Sequence, residues 1–186
     1  MGSKSIIRTF FIVLGMSILL QACISSSEDI NTEREPIPTQ IITAQDISIP
    51  VFDYQAFSPM LDYYNDTLYI FNFWATWCQP CVKELPFYNM ADSAYANKPV
   101  RIVLISLDFV ENVKNTLIPF IIEKNVSPEV ILLDDMDANT WIPMIDPDWE
   151  GAIPASLFMQ KNTRKFFAKS FTYEELSEEI ESILYP

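Results

Sequence analysis

The chain has 186 residues, 49% of them apolar and 13% aromatic, enough for one well-packed domain and too little for two ordinary ones. A formal charge of −13, from 25 acidic against 12 basic residues, argues against a phosphate-binding surface, so nucleic acid is not an expected partner. No histidine is present, which excludes His-based hydrolytic triads and the commonest nitrogen metal ligand; two of the three cysteines share one motif, Cys78-Gln79-Pro80-Cys81.

Residues 1–22 carry Lys4 and Arg8 ahead of an apolar run from Thr9 to Leu20, the charge order of a signal peptide and too short for a span of about 20 apolar residues. Leu20-Gln21-Ala22-Cys23 resembles a bacterial lipobox, which implies that Cys23 becomes a lipidated N-terminus and a membrane anchor. Diacylglycerol on Cys23 together with N-acylation supplies the two hydrophobic signals that stable anchoring needs. Residues 23–43 are polar, lack apolar periodicity and read as a flexible linker with a reach of roughly 25 Å.

Thr67 to Trp74 is nearly all apolar and rich in aromatic and β-branched residues, which predicts a strand buried on both faces. It runs straight into the CxxC. From Cys81 to about Ala96, Leu85, Tyr88, Ala91 and Tyr95 recur at helical spacing. Val100–Leu107 predicts a second buried strand, followed by a helix within Asn112–Asn125 that Pro119 should kink or divide. Val130–Leu133 predicts a third strand, Asp137–Ile145 a short helix or turn, and Ile153–Met159 a fourth strand opened by a proline. Gln160–Arg164 reads as a hairpin turn into Lys165–Lys169, and Thr172 with Glu175 forms a capping box for a closing helix to about Leu184. The order of elements is α/β.

A CxxC on the first turn of a helix has a chemical use. Unpaired N–H groups and the positive helix end favour the thiolate of Cys78, and Cys81 stands where it can close a disulfide. Cys78 is the expected attacking thiol, Cys81 the resolving one, and Trp77 an apolar lip that meets a partner. Two other readings of the pair remain: a structural disulfide, which over so short a loop stabilises little, and half of a zinc site, for which two thiolates and no imidazole are on offer. Asp134-Asp135-Met136-Asp137 could bind calcium but lacks the spaced ligands of an EF-hand loop. Trp141 and Trp149 are expected to pack loops, Trp149 also lining the site because it lies five residues before Pro154.

The block from Phe73 to Pro86, with its strand, CxxC and a proline five residues after the second cysteine, resembles the active-site block of the thioredoxin superfamily. It is most similar to the TlpA/ResA branch of extracytoplasmic thiol-disulfide oxidoreductases. The resemblance implies a thioredoxin-like α/β fold over residues 44–186, a central mixed sheet flanked by helices. Gly151-Ala152-Ile153-Pro154-Ala155 resembles the superfamily's cis-proline loop, which implies that Ile153 and Pro154 bind the incoming peptide. Asn72 stands where cytoplasmic thioredoxin has a buried aspartate, and an amide cannot take a proton. Glu84, one helical turn beyond Cys81, matches the glutamate that follows the CxxC in TlpA/ResA-like proteins and is the implied proton acceptor.

The expected activity is therefore reduction of disulfides in bacterial envelope proteins, with the Cys78–Cys81 disulfide as the redox group and no metal or other cofactor. The resemblance further implies a membrane thiol donor upstream and a lipid-anchored domain outside the cytoplasm. The rivals are a disulfide-donating oxidase, a non-catalytic binding lipoprotein, a peroxidase and a copper carrier. A peroxidase would carry Thr-x-x-Cys, whereas Thr76 is two residues before Cys78, and a copper carrier needs a histidine.

Overall fold

The computed structural model describes residues 36–63 and 65–186, so the signal segment, Cys23 and most of the linker lie outside the described residues. Seven strands form one mixed sheet: β1 Gln40–Ala44, β2 Ile47–Phe52, β3 Leu68–Trp74, β4 Val100–Ser106, β5 Glu129–Leu133, β6 Ala155–Gln160 and β7 Thr163–Phe167. Their order is β1-β2-β5-β4-β3-β6-β7. The central neighbours β3, β4 and β5 run parallel, while β6 is antiparallel to β3. The helices are α1 Tyr54–Phe57, α2 Gln79–Tyr95, α3 Ile118–Lys124, α4 Ala138–Ile145 and α5 Tyr173–Leu184. Among the described residues no helix is long and apolar enough to cross a membrane.

Every residue of β3 is buried, as its unbroken apolar run predicts for a central strand covered on both faces. Alternation then divides the strand. Leu68, Ile70 and Trp74 join the core beneath α2, α3 and α5, whereas Tyr69, Phe71 and Phe73 join an aromatic core with Phe57, Trp141 and Trp149. Asn72 shares the first face, and this register points a polar side chain at α2.

Two boundaries differ from the sequence expectation. The linker was expected to reach residue 43, but β1 begins at Gln40 and the Thr39 N–H already donates to the Val51 carbonyl at 2.8 Å. The hairpin turns at Gln45 and Asp46, both at positive φ, which matches a two-residue turn of the primed type. The second hairpin is also tighter than expected: β6 and β7 pair to the Gln160–Thr163 register, leaving Lys161 and Asn162 to turn. Pro119 divides the predicted 112–125 helix. Its missing N–H cannot join the i→i−4 ladder, and the chain passes through a wide π turn at Val113–Leu117 before α3 begins. The capping box at Thr172 and Glu175 is present, with both reciprocal hydrogen bonds made.

Candidate active site

The chain leaves β3 at Trp74, whose carbonyl accepts the Leu107 N–H at 2.8 Å, and Cys78 N donates to the Ala75 carbonyl at 3.1 Å. Those bonds fold residues 75–78 into a turn that delivers Cys78 as the N-cap of α2, with its sulfur accepting the Cys81 N–H at 3.3 Å. Pro80 opens the helix at a position where the absent N–H costs nothing. Cys78 and Cys81 are joined as a disulfide, with 5.2 Å between their Cα atoms. Cys81 is fully buried and Cys78 only 5% exposed, while Trp77 beside it is 60% exposed.

A second loop faces the disulfide from the far side of β3. The Ile153–Pro154 bond is cis, and the Ile153 carbonyl oxygen lies 3.7 Å from Cys78 Sγ. The structure therefore brings together Cys78, Cys81, Ile153 and Pro154, residues the sequence separates by more than seventy positions.

Trp149 does not line the site as expected. It is buried, packs at a tilt against Phe73 and Phe166, and donates Nε1–H to the Ala152 carbonyl at 2.8 Å, so it braces the proline loop. Within the acidic run, Asp135 accepts the Tyr54 and Asp137 N–H groups at 3.0 and 2.9 Å. Gly151 enters the loop at φ +85°, and a Cβ there would stand 2.8 Å from Ile142 Cδ1. Gly151→Ala combines a left-handed alanine, costing about 1–2 kcal/mol, with a forced shift of Ile142. The expected result is a melting temperature roughly 3–6 °C lower, read by circular dichroism.

Behind the disulfide, α2 buries Cys81, Glu84, Leu85 and Tyr88 on one stripe. Glu84 is only 1% exposed, which rules out a solvated helix glutamate. One carboxylate oxygen accepts Asn72 Nδ2–H and the other the Phe171 N–H, both at 2.9 Å. Burial pushes its pKa up to about 7, against the lowering effect of the Phe171 and Asn72 bonds. Asn72 Nδ2 also reaches Tyr88 Oη at 3.2 Å and Ser156 Oγ at 3.1 Å, and the two hydroxyls lie 2.7 Å apart. Asn72 Oδ1 is buried without a partner among the described residues, so the amide is held nitrogen-first toward Glu84. Tyr88, Ser156 and Phe171 were missed by sequence reasoning. Only the helical stripe hinted at Tyr88, and Ser156 enters because β6 sets it directly opposite Asn72.

A third group was also missed. Asp108, just past β4 and 5% exposed, accepts the Thr76 N–H at 3.0 Å, Thr76 Oγ1–H at 2.5 Å and Ser106 Oγ–H at 2.8 Å. It ties the loop after β4 to the turn that carries Cys78.

Residues 43–163 match the family model described as AhpC/TSA. The chain belongs to the AhpC/TSA family. Within it, a 47-residue stretch is 47% identical to thiol-disulfide oxidoreductase ResA of Oceanobacillus iheyensis, covering 25% of this chain and 24% of that protein. The chain thus spans about a quarter of that relative. ResA of Geobacillus thermodenitrificans is 27% identical over 127 residues, 67% of each chain. Two solved structures share the fold. A thioredoxin-related protein from Neisseria meningitidis serogroup B superposes with a TM-score of 0.56 at 21% identity, covering 66% of this chain and 89% of its own. A thioredoxin family thiol:disulfide interchange protein from Chlorobium tepidum gives 0.55 at 18%, covering 80% and 95%. This AhpC/TSA chain has a thioredoxin-like fold, a mixed sheet flanked by helices.

Proposed function

We propose that the protein is an extracytoplasmic thiol-disulfide oxidoreductase that reduces disulfides of envelope proteins through Cys78 and Cys81. The observation that carries this reading is the Cys78–Cys81 disulfide at the N-terminus of α2, facing the Ile153 carbonyl of the cis-proline loop. In the reduced enzyme, the Cys78 thiolate attacks one sulfur of a partner disulfide. The partner's S–S bond breaks, a mixed disulfide forms, and the other partner sulfur leaves as a thiolate that takes up a proton. The Ile153 and Pro154 backbone holds the incoming peptide, and exposed Trp77 meets its apolar side chains. Glu84 then takes the Cys81 proton, the Cys81 thiolate attacks Cys78 Sγ, the mixed disulfide bond breaks, and the second partner sulfur leaves as a thiolate that takes up a proton. The enzyme ends as the disulfide, so a membrane dithiol must return two electrons for each turnover. The redox disulfide is the whole prosthetic chemistry, and Cys23 carries the lipid that holds the domain at the envelope membrane.

The family match makes the peroxidase reading worth weighing. Thr76 Oγ1 donates its hydrogen to Asp108, so that hydrogen is not offered to the Cys78 sulfur or to a peroxide there.

The test is the equilibrium potential of the pair in the full chain, by thiol trapping across graded dithiothreitol ratios. A reducing potential supports the reductase. A strongly oxidising one recasts the protein as a disulfide donor, and a pair that never cycles leaves the fold as a binding module.

A further inference from the structure

We propose that Asp108 is a positioning residue that sets the redox poise of the disulfide, holding the Cys78 turn in place and placing a fixed negative charge beside it. The inference rests on the exchange reading above. Both oxygens of Asp108 are occupied by donors, Thr76 N–H, Thr76 Oγ1–H and Ser106 Oγ–H, and its own N–H donates to Ser106 Oγ at 3.1 Å. That pattern is acceptor-only, as a carboxylate requires. None of its described partners is a cation, so the charge is stabilised by dipoles and not neutralised by an ion pair. A carboxylate removed from water and left without a counter-ion acts at longer range than an exposed one.

Geometry places that charge on the turn that carries Cys78. Thr76 is two residues before the cysteine, and its N–H and Oγ1–H are both bound by Asp108. The Trp74 carbonyl is held by Leu107, the residue before Asp108. The turn 74–78 therefore cannot move away from the carboxylate without breaking several hydrogen bonds. Reduction of the pair takes two electrons and two protons from a dithiol, breaks the S–S bond and yields two thiols, of which Cys78 releases its proton as the thiolate. The helix N-terminus favours this thiolate and Asp108 opposes it. Opposing the thiolate disfavours the reduced form, so Asp108 pulls the couple toward the reducing side.

The experiment equilibrates the full chain with graded dithiothreitol at pH 7 and compares Asp108→Asn and Thr76→Val with the wild type. Asp108→Asn removes the charge but also puts an NH2 group where one oxygen accepts, so it loosens the turn as well; Thr76→Val loosens the turn by removing the hydroxyl bond and keeps the charge. Asp108→Asn is expected to shift the exchange equilibrium toward the reduced protein by tenfold or more, which is about 30 mV for two electrons, and Thr76→Val by less than threefold. Phe109→Lys, at a position 62% exposed, supplies a counter-charge without touching the fold. It is expected to shift the equilibrium the same way, by about threefold at low salt and not at all in 1 M salt. The inference is overturned if the pair cycles normally and neither Asp108→Asn nor Phe109→Lys moves the equilibrium, or if Thr76→Val moves it as far as Asp108→Asn. A wild-type pair that cannot be cycled overturns the exchange reading itself.

Discussion

Cys81→Ala is expected to collect stable mixed disulfides with polypeptide substrates, all of them through Cys78, while Cys78→Ala collects none. Cys78 caps α2 with its sulfur toward the proline loop, whereas Cys81 lies one turn inside and fully buried, so only the first can meet a partner. Removing Cys81 leaves the attack intact and abolishes release. A resolving thiol held in place has an effective concentration far above that of millimolar external thiol. Turnover on an unfolded, disulfide-bearing polypeptide should therefore fall on the order of 10³-fold or more. The fold should survive, because a disulfide closing so short a loop contributes little chain entropy. Non-reducing gels of envelope extracts read the outcome. Equal trapping by both variants would contradict the assignment of roles.

Glu84→Gln is expected to slow the resolving step by about 10²-fold at pH 8 and to flatten its pH dependence. In the wild type the base accepts a proton only when ionised, so resolution should accelerate as pH rises through about 7. Stability moves the opposite way. The folded-state pKa lies above the usual value of 4.5, so the folded protein binds the extra proton between these limits. Stability is then highest below about pH 4.5 for this group and is lost as pH rises through about 7, by an amount of order 3 kcal/mol. Glu84→Gln carries no charge and should escape that loss, melting above the wild type at pH 8. Stopped-flow Trp fluorescence and thermal melts between pH 5 and pH 9 test both halves. A wild-type rate that does not change across pH 7 would remove Glu84 from the proton step.

The strand, the CxxC and the helix after it are legible because each rests on a local signal: an unbroken apolar run, a motif, and a stripe at helical spacing. The β1–β2 hairpin has no such signal. Its strands are short, Pro50 interrupts the second, and its pairing with β5 joins residues eighty positions apart. Glu84 was placed on the right helix, but its depth follows from α5 and the loop at Phe171, which the sequence puts 87 residues away. A backbone N–H leaves no trace in residue identity, so neither Phe171 nor the Thr76 bond to Asp108 could be anticipated. Ser156 depends on an antiparallel register that brings it opposite Asn72 across 84 residues.

The described domain contains one glycine, Gly151, and all 13 of the chain's prolines. Backbone at positive φ is carried elsewhere by Gln45, Asp46, Asn125 and Lys161, each at some conformational cost. A chain so short of glycine and so rich in proline has fewer conformations to lose when it folds. The disordered ensemble is thereby raised in free energy, and this offsets what the native state gives up at its strained turns and its two buried carboxylates, Glu84 and Asp108. Part of the resilience of the reactive site is thus written into the unfolded chain, where no contact of the native structure records it.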